Sequence, residues 1–112
     1  MYRYKVNITK VYDGDSVTAD IDLGFHTWLR NQKFRLIFID TPEIRNKDEI
    51  LKSKAYAARD FVREAIDGKQ CTIKSHGKGK YGRWLVELFI EGMDISVNQK
   101  LLDLGHAKPY KP

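Results

Sequence analysis

Cysteine and proline are scarce in this chain, and no long hydrophobic run occurs. The single cysteine, Cys71, excludes an internal disulfide and any cysteine-built metal cage. Within the strand-like stretch QCTIKS it reads as a small buried hydrophobe. The longest uninterrupted apolar runs are four residues, Leu36–Ile39 among them, too short for a membrane-crossing helix. His26, His76 and His106 are scattered over loop-like settings without helical metal-ligand spacing, so each is expected to be solvated and no zinc site is expected. No serine or cysteine lies in a Gly-x-Ser-x-Gly setting. Repeats and low-complexity segments are also lacking. The opening MYRYKVNITKV has neither the apolar core nor the cleavage site of a signal peptide. The expectation is a protein that stays in the cell that makes it, or one from which a leader has been removed.

What is present suits one soluble domain spanning residues 1–112. A chain of this length buries roughly two thirds of its surface on folding, enough for one modest core. Twenty Lys and Arg against fifteen Asp and Glu give a net charge of +5, which is compatible with a polyanionic partner.

YKVNITKVY reads as a first strand, Asp13-Gly14-Asp15 as a turn, and SVTADIDL as a second strand. In the latter Val17, Ala19, Ile21 and Leu23 share one face. By the same parity Asp15 points inward with them. GFHTWLRNQ is a connection, and KFRLIFID a third strand that Pro42 ends. From Asp48 to Asp67 the apolar period changes: Leu51, Ala55, Ala58, Val62 and Ala65 recur at helical spacing. Asp48 or Ser53 can cap the start of this helix, and Gly68 its end. KQCTIKS and WLVELFIE are strands four and five, separated by the loop HGKGKYGR. DISVNQKLLDL is a second helix, closed by Gly105, and the tail HAKPYKP is irregular. Five short strands with a helix between the third and fourth predict an α+β, mainly β fold: an OB-fold Greek-key barrel with two helices.

Chemistry-bearing residues cluster at strand ends. Asp13 and Asp15 form one acidic run, Asp40 and Glu43 a second, and hard divalent cations take oxygen ligands from such places. An EF-hand starting at Asp13 is excluded, because its sixth and twelfth positions hold Thr18 and Gly24 rather than Gly and Glu. Arg35 lies inside an apolar run, where arginine needs a partner. That partner is a structural carboxylate or a phosphate gripped by the planar guanidinium fork. Arg35 and Asp40 fall on opposite faces of a flat strand, so a shared site requires a coil or bulge there. Arg83 follows a Gly/Lys-rich loop that is no P-loop, and Tyr81 in that loop can stack on a base or pack on the barrel.

VYDGDSV, FRLIFIDTPE and KYGRWL, in that order and with a helix between the second and third, resemble the staphylococcal nuclease (thermonuclease) family over nearly the whole chain. The resemblance implies a calcium ion held by Asp15, Asp40 and the Thr41 carbonyl, with Glu43 as general base and Arg35 and Arg83 on the phosphate. It implies a nucleotide pocket lined by Lys80, Tyr81, Leu85 and Tyr110 over a floor at Leu36. The implied reaction is sequence-nonspecific cleavage of the 5′ P–O bond of single-stranded DNA or RNA, leaving 3′-phosphates, by a protein that is a monomer by default. Lys108 stands where the family has a tyrosine, Gly79 where it has an acid, and the loop after Glu43 is short; these bear on base stacking and affinity. The competing expectation is a non-catalytic OB module that binds single strands or a protein partner. Such a module need not keep Asp15, Arg35, Asp40, Glu43 and Arg83 together, as this sequence does.

Overall fold

A run of alternating β-branched residues makes β1, Arg3–Asp13, whose Val6 and Val11 turn inward. The computed structural model describes residues 2–111. Strand β2, Ser16–Asp22, pairs antiparallel with β1, and Val17, Ala19 and Ile21 are buried as the alternation predicts. Leu23 was expected to join them, but it lies past the strand end and is exposed. Asp20, expected outside, is buried because the Asn31 N–H (2.9 Å) and Arg30 Nη1 (3.0 Å) both donate to its carboxylate.

Strand β3, Trp28–Leu36, begins earlier than the sequence suggests, so the connection before it shrinks to residues 23–27. The expected unbroken run to Asp40 is interrupted by a turn at Ile37 and Phe38, where Phe38 takes φ 72°. Two backbone carbonyls hold that turn. The Ile37 carbonyl accepts from Asn98 Nδ2 (2.9 Å), and the Phe38 carbonyl from the Tyr110 N–H (2.9 Å). Beyond it, β4 (Ile39–Asp40) pairs with β7 (Lys108–Pro109), so the tail is partly ordered into a ladder instead of being irregular throughout.

Helix α1, Glu49–Ile66, resolves the capping ambiguity: Asp48 accepts from the N–H groups of Ile50 and Leu51. Gly68 follows its end at φ 66°, the left-handed conformation that glycine adopts without steric cost. Ala55, Ala58 and Val62 are buried, whereas Leu51 stays exposed. Strand β5, Cys71–Lys78, takes in three residues that the sequence suggested were loop, and β6 runs Trp84–Ile90. Helix α2 is shorter than expected, Val97–Asp103, because Ser96 caps it by accepting from the Gln99 N–H.

The strands close into a barrel in the order β1-β2-β3-β6-β5, with β3 and β6 parallel and the other pairs antiparallel. This is the five-stranded OB-like barrel with two helices that the element order predicts. Phe34, Leu36, Ile73, Val86 and Leu88 fill its interior, and Cys71 is buried there as expected. Buried Asn98 ties α2 to the wall: it donates to the carbonyls of Ile37 and Val86 and accepts from the Leu88 N–H. Two of the histidines are engaged rather than solvated. His76 lies 2.8 Å from Glu87 and packs edge-on against Phe38, and His106 stacks on Phe61. Among the described residues no helix is long and apolar enough to cross a membrane.

Candidate active site

The turn between β1 and β2 rests directly on α1. A Cβ added at Gly14 would lie 2.8 Å from the Ala58 Cβ and 3.1 Å from Thr41 Cγ2, so only glycine lets the turn approach the helix this closely. That contact fixes Asp13 and Asp15 on either side of it, both buried. Asp15 then becomes a hub. Its backbone carbonyl accepts from the Leu36 N–H (2.8 Å), while Oδ2 accepts from the Thr41 N–H (3.2 Å) and Oδ1 from Ser16 Oγ (3.1 Å). Arg35 Nη1 forms an ion pair with the same carboxylate, in contact but without an aligned N–H···O bond.

The break at Ile37–Phe38 removes the parity problem posed by a flat strand. The chain turns back after it, so Arg35 Nη2 reaches both the Ile39 carbonyl (3.1 Å) and Asp40 Oδ1 (3.3 Å). One guanidinium is thus clasped by Asp15 and Asp40. On the other side Arg83 Nη1 donates to Ser16 Oγ at 3.2 Å, made possible by the parallel pairing of β3 with β6. A continuous polar chain results: Asp40, Arg35, Asp15, Ser16, Arg83.

These groups line one cleft of about 620 Å³. Asp15, Arg35, Asp40, Glu43 and Arg83 are all on its wall, together with Asp13, Ser16, Lys10, Lys33 and Arg45. Glu43 is exposed, and its pair with Arg45 (3.5 Å) joins two solvated side chains, so it is a weak tie. Burial pushes the Asp13 carboxyl up from its ordinary range; the Ile44 N–H opposes this, and negative Asp15 and Glu43 add to it. Crowding acids and bases in one cleft is what the fold accomplishes here.

The other candidate residues are placed differently. Thr41 is buried behind Asp15, its hydroxyl without a partner. Leu36 is sealed inside the barrel core, so it forms no open pocket floor. Leu85 is half-buried beside Gly79, and Lys80 and Tyr81 stand out in the exposed loop between β5 and β6, away from the cleft wall. Tyr110 is exposed with its ring 5.6 Å from the Arg35 guanidinium, at the site's edge. Ser16 and Arg45, like Lys10 and Lys33, are cleft residues that the sequence concealed. The only signal for Ser16 was its position after Asp15, and for Arg45 its nearness to Glu43.

The sequence profile of the staphylococcal nuclease homologues matches residues 33–112. The chain belongs to the staphylococcal nuclease homologue family. It is 30% identical to an uncharacterized protein of Methanocaldococcus jannaschii, over 96% of this chain and 59% of that protein. It is also 30% identical to a thermonuclease of Staphylococcus hyicus (97% of this chain, 61% of that one) and 27% identical to one of Staphylococcus intermedius (94% and 60%). The chain therefore spans about six tenths of the length of these curated relatives.

The calcium ion expected from the sequence motifs can be set against the donors present in this cleft. Asp15 and Asp40 both meet the Arg35 guanidinium, and such an all-oxygen donor set suits a hard ion such as calcium. Among the described residues no three His, Cys, Asp or Glu side chains gather as a cage. The donor chemistry of this nuclease-homologue cleft fits calcium only if water and substrate oxygens complete the shell.

Proposed function

We propose that this chain is a calcium-dependent, sequence-nonspecific phosphodiesterase that hydrolyses the 5′ P–O bond of single-stranded DNA or RNA and leaves 3′-phosphate ends. The observation that carries this reading is the convergence of Asp15, Arg35, Asp40, Glu43 and Arg83, from well-separated parts of the chain, on one cleft. A phosphodiester gains negative charge on its equatorial oxygens as it is attacked. Preorganised guanidinium groups stabilise that charge most where it develops. Arg83 is held by Ser16 and Arg35 by two carboxylates, so both forks are oriented before substrate arrives. Glu43, exposed at the cleft wall, takes the proton of a water whose oxygen forms the new bond to phosphorus; the 5′ oxygen leaves and is protonated. Such a base contributes on the order of 10²–10⁴-fold. Asp15 and Asp40, with the Thr41 carbonyl, are the groups that would hold calcium, which when bound neutralises phosphate charge.

The test is cleavage of single-stranded DNA and RNA by the full chain with calcium, magnesium or a chelator, followed by end-group analysis. Cleavage with calcium, its loss in chelator, and 3′-phosphate products are expected. Binding without cleavage under every metal condition would replace this reading with that of a non-catalytic module.

A further inference from the structure

A second and larger groove, about 1020 Å³, opens along β1. Its walls are β1, the turn from α1 into β5, and the turn end of the β2–β3 hairpin. Four cations line it, Lys10, Arg30, Arg63 and Lys69, against one carboxylate, Asp67; Arg30 is paired with Asp20, whereas Lys10, Arg63 and Lys69 have no carboxylate within ion-pair distance among the described residues. Arg63 is anchored by donating to the Val11 carbonyl (3.2 Å), which aims a charged group without neutralising it. Trp28, two-fifths exposed, forms the far wall with the Arg30 guanidinium 4.9 Å from its ring. Lys10 lines both this groove and the candidate active-site cleft, so the two adjoin at that side chain.

We propose that this groove is a secondary polynucleotide site that carries a single strand onward from the reaction cleft, its phosphates on Lys10, Arg63 and Lys69 and a base stacked on Trp28. The inference rests on the nuclease reading above. Unpaired cations tracking one edge with an aromatic ring on the other are what a single strand of any sequence needs: charge for the backbone, a flat face for any base. A phosphodiester cleft alone grips one linkage. A basic groove adjoining it gives longer strands an affinity that short ones lack, without any base being read.

The experiment is fluorescence anisotropy of labelled dT3 and dT20 with the full chain in chelator, which separates binding from cleavage. The wild type is expected to bind dT20 more tightly than the number of binding registers provides. Lys69→Glu, on an exposed turn, should weaken dT20 about tenfold while leaving dT3 within about twofold. Trp28→Ala should act likewise, and Trp28→Tyr should restore most of the loss. Lys69→Ala should reduce the salt slope for dT20 by about 0.7, the value for one lost single-strand phosphate contact. Unchanged dT20 binding in Lys69→Glu and Trp28→Ala, or equal losses for dT3 and dT20, would overturn the proposal. So would capture of an acidic peptide more tightly than dT20, which would make the groove a protein-docking surface. Absence of cleavage in a metal-supplemented assay would count against the nuclease reading alone, because the chelator measurement does not depend on turnover.

Discussion

Arg83 and Glu43 do different work in the proposed reaction, and single substitutions separate them. Arg83→Ala removes a donor aimed at the developing charge, so turnover on single-stranded DNA should fall by at least about 10²-fold. Far-ultraviolet circular dichroism should remain unchanged, since among the described residues the Arg83 side chain bonds only Ser16, and its backbone bond to Gly79 survives the substitution. Survival of near-normal turnover would remove Arg83 from the phosphate. Glu43→Gln keeps the shape but not the base, so cleavage should drop far more than oligonucleotide affinity; equal losses would make Glu43 a scaffold residue. Asp20 reports on stability instead. The Asn31 N–H, then Arg30, hold its carboxyl below the ordinary value of 3.8, so its native state prefers the ionised form. That contribution is present above pH 3.8 and disappears as the pH falls through the lower folded value. Asp20→Asn should therefore melt below the wild type at pH 7, with the gap closing in strong acid. A constant gap across that range, measured by thermal melts, would rule out the carboxylate's charge as the cause.

The contact between the β1–β2 turn and α1 sets where two carboxylates stand. Gly14→Ala forces a methyl against Ala58, with no flexible side chain to yield, and should cost about 1–3 kcal/mol in urea unfolding. Because Asp13 and Asp15 flank the pushed residue, turnover should fall as well. Unchanged stability would mean that the helix retreats freely. The sequence signalled a turn at Asp13-Gly14-Asp15, but it held no sign of the steric demand, which comes from Ala58 on a helix far along the chain. The same contrast holds elsewhere. Strand β2 was legible because Val17, Ala19 and Ile21 alternate with polar residues. The break after Leu36 was not, because Leu36–Ile39 is uniformly apolar and the atoms that bend it belong to Asn98 and Tyr110. The five residues that share the cleft could be named from motifs, since charged residues in and at the ends of apolar strands have few packing uses. Ser16 could not, because a serine opening a strand is ordinary until Arg83 arrives from β6. The exposed position of Lys80 and Tyr81 likewise depends on how far β5 extends, to Lys78 rather than Ser75.

At the scale of the whole molecule, the proposed reaction requires a cleft that gathers acids to attract a polyanion all the same. The net charge of +5 helps, and so does the arrangement of the cleft, where Lys10, Lys33, Arg35, Arg45 and Arg83 offset Asp13, Asp15, Asp40 and Glu43. The acids nearest the proposed reacting phosphate are partly spent on Arg35. A divalent cation entering between Asp15 and Asp40 has to compete with that guanidinium, which lies clasped with only 15% of its side chain exposed. Bound phosphate changes the balance, because it offers Arg35 another anion and offers the cation further oxygen ligands. Metal and strand should therefore each strengthen the other's binding, by the same factor in both directions. Isothermal titration of the chain alone should show calcium binding no tighter than about 10⁻⁴ M, the weak end of protein sites. Repeating it with a hydrolysis-resistant single strand should tighten calcium at least about fivefold, the lower end of ordinary coupling. Arg35→Ala should separate the two effects: calcium alone should bind more tightly once its competitor is gone, while the coupling to the strand shrinks. Tight calcium binding by the wild type, indifferent to the strand, would mean that Arg35 does not stand in the cation's way.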